Sequence, residues 1–112
     1  MAHVSQLKNL QRLKLEKVPV SDEEYRQLRD LKSLRHLEIR GPIGDEGFRH
    51  VATLNGLETL TLVGADVTGE GLSLLTGMRN LRIFRYSRLH RLRDVELEAL
   101  MDKRRDVQFE QQ

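Results

Sequence analysis

Apolar residues recur along this chain at one fixed short spacing. Leu10, Leu13 and Leu15 are followed by Leu34, Leu37 and Ile39, then Leu57, Leu60 and Leu62, then Leu81, Phe84 and Tyr86. The triplets begin at positions 10, 34, 57 and 81, an almost constant step. The last two members of each enclose one residue of other character (Lys14, Glu38, Thr61, Arg85), the period-2 pattern of a short strand with one buried face. Each strand signal then gives way to a helical one. Tyr25, Leu28 and Leu31 are three apart and share a helix face. Ile43, Phe48, Val51 and Leu54 repeat the pattern, as do Val67, Leu72, Leu75 and Met78, and finally Leu92, Leu97, Leu100 and Met101. The pattern predicts strand, loop and helix four times. A fifth, abbreviated strand is expected over 107–109, where Val107 and Phe109 repeat Phe84 and Tyr86 one step later.

Helix starts carry their own marks. Ser21 and Glu24 have the spacing of a capping box, in which side chains satisfy first-turn N–H groups. Gly44 and Thr68 stand at matching places, and Asp94 is expected to cap the fourth helix. Asp22, Glu23, Asp45, Glu46 and Glu70 gather in first turns, where the helix dipole favours negative charge. That explains these carboxylates without a metal or a catalytic pair. Gly47 and Gly71, early in their helices, are expected to relieve packing. Gly69-Glu70-Gly71 lacks the Lys and Ser/Thr of a phosphate-binding loop.

A repeat of 20–29 residues carrying L-x-x-L-x-L marks the leucine-rich repeat, so the chain resembles that family. The second half of each unit narrows the resemblance. Residues 43–48 (Ile-Gly-Asp-Glu-Gly-Phe) and 67–72 (Val-Thr-Gly-Glu-Gly-Leu) look like the I/V-T-D-x-G-L stretch. That stretch is typical of bacterial repeats of about 24 residues and of the cysteine-containing repeats associated with F-box proteins. The resemblance spans residues 4–109. It implies an α/β fold: a leucine-rich-repeat solenoid, a right-handed βα superhelix with a parallel sheet on its concave face and helices on its convex face. Four repeats and a short C-terminal closing strand are expected. It also implies a sheet used to recognise proteins, in a family whose members are seldom enzymes. One departure concerns the loops. Many such repeats place Asn or Cys eight residues after the first motif leucine, where a side-chain ladder bonds loop backbone; here Val18, Pro42, Ala65 and Leu89 stand there. Loop N–H groups must then find other acceptors.

Composition bounds the rest. A chain of 112 residues is one domain, 1–112. Hydrophobic content of 38% with 32% charge is ordinary for a globular chain. A net charge of +2 gives no field that steers the chain to nucleic acid. Absence of cysteine excludes disulfides, zinc-thiolate sites and a cysteine nucleophile. Neither a signal-peptide stretch nor a membrane-length apolar run is present, so a cytoplasmic location without a membrane partner is the expectation. Val4 and Leu7 occupy the places of Leu28 and Leu31 one repeat earlier, which puts Met1 inside a repeat. The chain is therefore expected to be the C-terminal part of a longer array; the alternative is a structural, self-associating domain that covers an open N-terminal edge. At the other end, a charged helix terminus, a short strand and a polar tail are expected to shield the last layer.

Between the motif leucines, side chains point out of the concave face. One expected ladder reads Arg12, His36, Thr59, Ile83; the next Lys14, Glu38, Thr61, Arg85, Gln108; the third Glu16, Arg40, Val63, Ser87, Glu110. Lys14 beside Glu38 and Glu16 beside Arg40 are opposite charges on neighbouring strands, a modest stabilisation. Thr59, Thr61, Val63 and Ile83 form a weakly polar centre, flanked by Arg79, Arg82, Arg85, Arg88, Arg91 and Arg93 with no acid among them. Arg82 and Arg85 are assigned to the sheet face and Arg88 to the loop after it. An apolar centre rimmed by arginine suits a protein partner, and guanidinium suits an acidic one. The candidate binding face is therefore Arg12, Lys14, His36, Glu38, Arg40, Thr59, Thr61, Val63, Arg82, Ile83, Arg85 and Arg88. No cofactor, metal or small-molecule substrate is expected, because no histidines share ligand spacing and no nucleophile turn is present. Nucleic acid is disfavoured, since Phe84 and Tyr86 occupy core positions and cannot stack on bases.

Overall fold

The apolar triplets become the seams of one sheet. A computed structural model describes residues 10–16 and 22–112, with the backbone alone at 22–24. Strands β1 (Arg12–Glu16), β2 (His36–Arg40), β3 (Thr59–Val63), β4 (Ile83–Ser87) and β5 (Gln108–Gln111) lie in chain order, each parallel to the next. Parallel neighbours need a crossover, and each crossover here carries a helical segment. The chain thus advances as a solenoid with the sheet on one side and the helical segments on the other.

The strands stack motif on motif. Leu13, Leu37, Leu60, Phe84 and Phe109 form one column; Leu15, Ile39, Leu62, Tyr86 and Gln111 form the next. Leu37, Ile39, Leu60, Leu62 and Phe84 are fully buried, and Tyr25, Leu28, Phe48, Val51, Leu72 and Leu75 close over them from the helical side. Burial of one such side chain contributes about 1.5–3 kcal/mol, so these columns supply most of the cohesion. Phe84 stacks on Tyr86 at 5.6 Å between ring centroids and meets Phe109 edge-on at 5.8 Å.

The helical side is less regular than the periodicity predicts. The first crossover is a 3-10 helix, Asp22–Asp30; then come α1 (Asp45–Val51), α2 (Gly69–Leu72) running into a 3-10 turn at Ser73–Gly77, and α3 (Asp94–Lys103). The last crossover carries the longest α-helix, α3, and is one to two residues longer than the others. Phe84 therefore pairs with Phe109 and not with Val107. This shift, twice the strand's single step, keeps the same face inward but corrects the expected ladders. Gln108 lies beside Ile83 and Glu110 beside Arg85, instead of beside Arg85 and Ser87.

Loop backbone groups find their acceptors in the neighbouring repeat. Asp66 N–H donates to Ile43 O at 2.8 Å, and Gly64 N–H to Ser87 O at 2.9 Å. Asp45 accepts from the Thr68 backbone N–H (2.8 Å) and hydroxyl (2.6 Å), so Thr68 is committed to the previous repeat and does not cap its own helix. A Cβ on Gly71 would collide with Asp45 Oδ1; glycine is what lets that carboxylate come close. Arg93, not Asp94, is the N-cap of α3, and its backbone N–H donates to Glu96 Oε1 at 3.0 Å. Val4, Leu7, Val18 and the Ser21–Glu24 box lie outside the described side chains.

Arg104 ties the end of α3 to the crossover before it. Its residue is 7% exposed, and its guanidinium donates to the carbonyls of Leu75 (2.5 Å), Met78 (3.0 Å) and Leu81 (3.3 Å). Asp106 accepts from the same group in two bonds of 3.0 Å. That pairing holds the Asp106 carboxyl below its usual range. Arg104→Ala would remove charged hydrogen bonds to three carbonyls at once, and denaturant unfolding should show a loss of about 3 kcal/mol. A depressed carboxyl stabilises above its unfolded pKa and loses that contribution as pH falls through the folded value. In urea titrations from pH 7 to pH 2, Asp106→Asn should therefore be less stable than wild type near neutrality, with the gap closing below about pH 4.

Candidate functional site

The concave face is built by the residues between the column positions. Strand alternation points Arg12, His36, Thr59, Ile83 and Gln108 outward in one ladder, and Lys14, Glu38, Thr61, Arg85 and Glu110 in the next. The two ladders enclose a shallow groove of about 580 Å³ lined by Arg12, Lys14, His36, Glu38, Thr59, Thr61 and Arg85. Thr61 is only 5% exposed, so it forms the floor instead of a contact surface. Val63 and Arg40 continue the face toward the C-terminal ends of the strands.

Charge on this face is unevenly committed. Glu38 accepts a hydrogen bond from Arg40 Nε and lies 3.8 Å from Lys14 Nζ, which is 3.8 Å from Glu16 as well. The Glu38 hydrogen bond, then its charge, push the Arg40 pKa further up, with Glu16 adding a smaller share. The β1–β2 half is therefore a self-neutralising set. Arg85 is also taken: its Nε donates to Glu110 Oε1 at 2.8 Å, and Gln108 Nε2 donates to the other oxygen of that carboxylate. Between these two sets lie Thr59, Val63 and Ile83, half-buried. Arg82 precedes β4 and does not belong to the strand, a correction to its assignment; Arg88 follows β4. Both are exposed and, like Arg12, make no ion pair among the described residues.

The sequence pattern aligns the strand residues on one face but gives Arg85 a freedom it lacks. Glu110 escapes it as the partner because the last repeat is longer than the others. Arg104 escapes it because it takes the buried place of Leu31, Leu54 and Met78 with a charged side chain, which an apolar pattern does not register. Among the described residues no group of three His, Asp or Glu side chains could hold a metal ion, and no helix is long and apolar enough to cross a membrane.

No family model and no curated relative matches the chain. A solved structure does: an internalin (inlF) from Listeria monocytogenes is similar over 98% of this chain at TM-score 0.55, with 18% identity. The fold is a leucine-rich-repeat solenoid. This chain spans 37% of that internalin's length, and at such identity the likeness concerns fold alone.

The observed register has a measurable consequence. A double-mutant cycle on Arg85→Ala and Glu110→Ala should return a coupling of about 0.5 kcal/mol, weakened by added salt, since both side chains are partly solvated. Coupling of Arg85 to Gln108 with none to Glu110 would contradict the pairing.

Proposed function

We propose that this chain is a non-catalytic protein–protein interaction module that binds its partner through the concave sheet face, centred on β3 and β4. The observation that carries this reading is the uneven commitment of charge. The β1–β2 half neutralises itself through Glu38, whereas Thr59, Val63 and Ile83 leave a weakly polar strip with no charge of its own. Such a strip, floored by Thr61 and flanked by arginine, has the make-up of an interface core with a polar rim. The solenoid supports it physically, because stacked repeats hold the strip on rigid strands and little ordering is needed on binding. Arg12, Arg82 and Arg88, without an ion pair among the described residues, favour a partner with acidic character.

The test needs the partner, which crosslinking capture and mass spectrometry can supply, and then two face variants. Thr59→Arg places bulk and charge on the strip, and Ile83→Asp removes its main apolar contact. Each should weaken binding of the purified partner at least about 10-fold, roughly 1.4 kcal/mol, with circular dichroism unchanged. Wild-type affinity in both folded variants would sink the face assignment.

A further inference from the structure

Position 88 departs from its counterpart one repeat earlier. The residue directly after β3 is Gly64, with φ of +68°; the residue directly after β4 is Arg88, with φ of +57°. Both turn out of the sheet through the left-handed region, which glycine enters freely and a side chain with a Cβ does not. A turn that glycine serves one repeat earlier is held here by a long charged residue. Stability gives no reason for that choice, because Arg88 is exposed and makes no hydrogen bond or ion pair among the described residues.

The neighbouring arginines sharpen the contrast. Arg85 is held by Glu110, Arg91 lies 3.5 Å from Asp66, and Arg93 lies 3.5 Å from Glu96. Arg88 remains uncommitted at the edge of a crevice of about 100 Å³ floored by Leu89, Leu92 and Leu97. Asp94 lines the same crevice and makes no ion pair with it. Backbone strain retained at an exposed, unpaired cation is the pattern of a residue kept for what it touches outside the chain.

We propose that Arg88 is the anion-recognition point of the partner surface: its guanidinium takes a carboxylate from an acidic segment of the bound protein at the rim where β4 ends. This deepens the concave-face reading and rests on it for the partner being a protein. The guanidinium fork presents two parallel donors to one carboxylate, which a lysine there could not.

The test uses the full chain and acetyl-hexaglutamate amide as probe, at low salt where rim charges act most strongly. Wild type should bind the peptide with a shift of the Arg88 Nε resonance. Arg88→Gln should weaken binding about 10-fold, and Arg79→Gln, an equal loss of charge at an exposed arginine, less than about 2-fold. Arg88→Gly should bind as weakly as Arg88→Gln while melting about 3–6 °C higher, because the strain is released. Equal effects of Arg88→Gln and Arg79→Gln would overturn the proposal, as would no peptide binding. A lower melting point for Arg88→Gly would make the residue structural and overturn it too. Inorganic phosphate binding as tightly as the peptide would reduce the site to a simple anion contact, against the proposal. Hexaglutamate reports on the rim alone, so a failure of the Thr59 and Ile83 variants to weaken partner binding would remain distinguishable from this one.

Discussion

Registry between neighbouring strands is the constraint on which everything else rests. Leu37 pairs with Leu60 and Leu60 with Phe84, so each buried side chain lies on its counterpart in the next repeat. Parallel pairing and apolar burial are satisfied by the same alignment. A one-residue slip would turn a whole column to the outer face, and the core would be lost with the ladder. The same registry aligns the outward residues, which is why a groove exists at all: Arg12, His36 and Thr59 are neighbours only because Leu13, Leu37 and Leu60 are.

Registry says nothing about how one crossover is tied to the next. Between α3 and the crossover before it, that role falls to Arg104. A buried charge is costly unless its hydrogen bonds are met. Here three carbonyls, those of Leu75, Met78 and Leu81, and the Asp106 carboxylate meet them. The carbonyls come from the 3-10 turn and the bend that follows it; those of Leu75 and Met78 already accept a backbone N–H, so Arg104 adds a second bond at each. The buried arginine thus fastens the irregular third crossover.

The strands and the core were legible in the sequence because both follow from one period. Leu28, Phe48, Leu72 and Leu100 fall where the helical spacing puts them, all buried. What the period could not carry was anything that depends on the length of a crossover or on contact across repeats. The longer helix α3 lengthens the last repeat, so Glu110 meets Arg85 where a constant period assigns Gln108. Thr68 reads as a cap by position, yet Asp45 of the previous repeat claims its hydroxyl and its N–H together. In both cases a local pattern was outweighed by a partner in the neighbouring repeat.

These displaced pairings decide what the concave face can offer. With Arg85 bound to Glu110 and Arg40 to Glu38, the strand centres hold little uncompensated charge. Among the described residues, uncommitted guanidinium groups are left at the borders of the sheet, at Arg12 on β1, Arg82 before β4 and Arg88 after it. A partner lying on β3 and β4 would then gain apolar contact from Thr59, Val63 and Ile83 and meet cations only where it overhangs the strand ends. On the proposed reading, selectivity would come from the ends of the strands, since the centre is weakly polar and the flanks are already paired. Arg88 follows this logic to its limit, because the backbone there adopts a conformation suited to glycine and still carries an arginine.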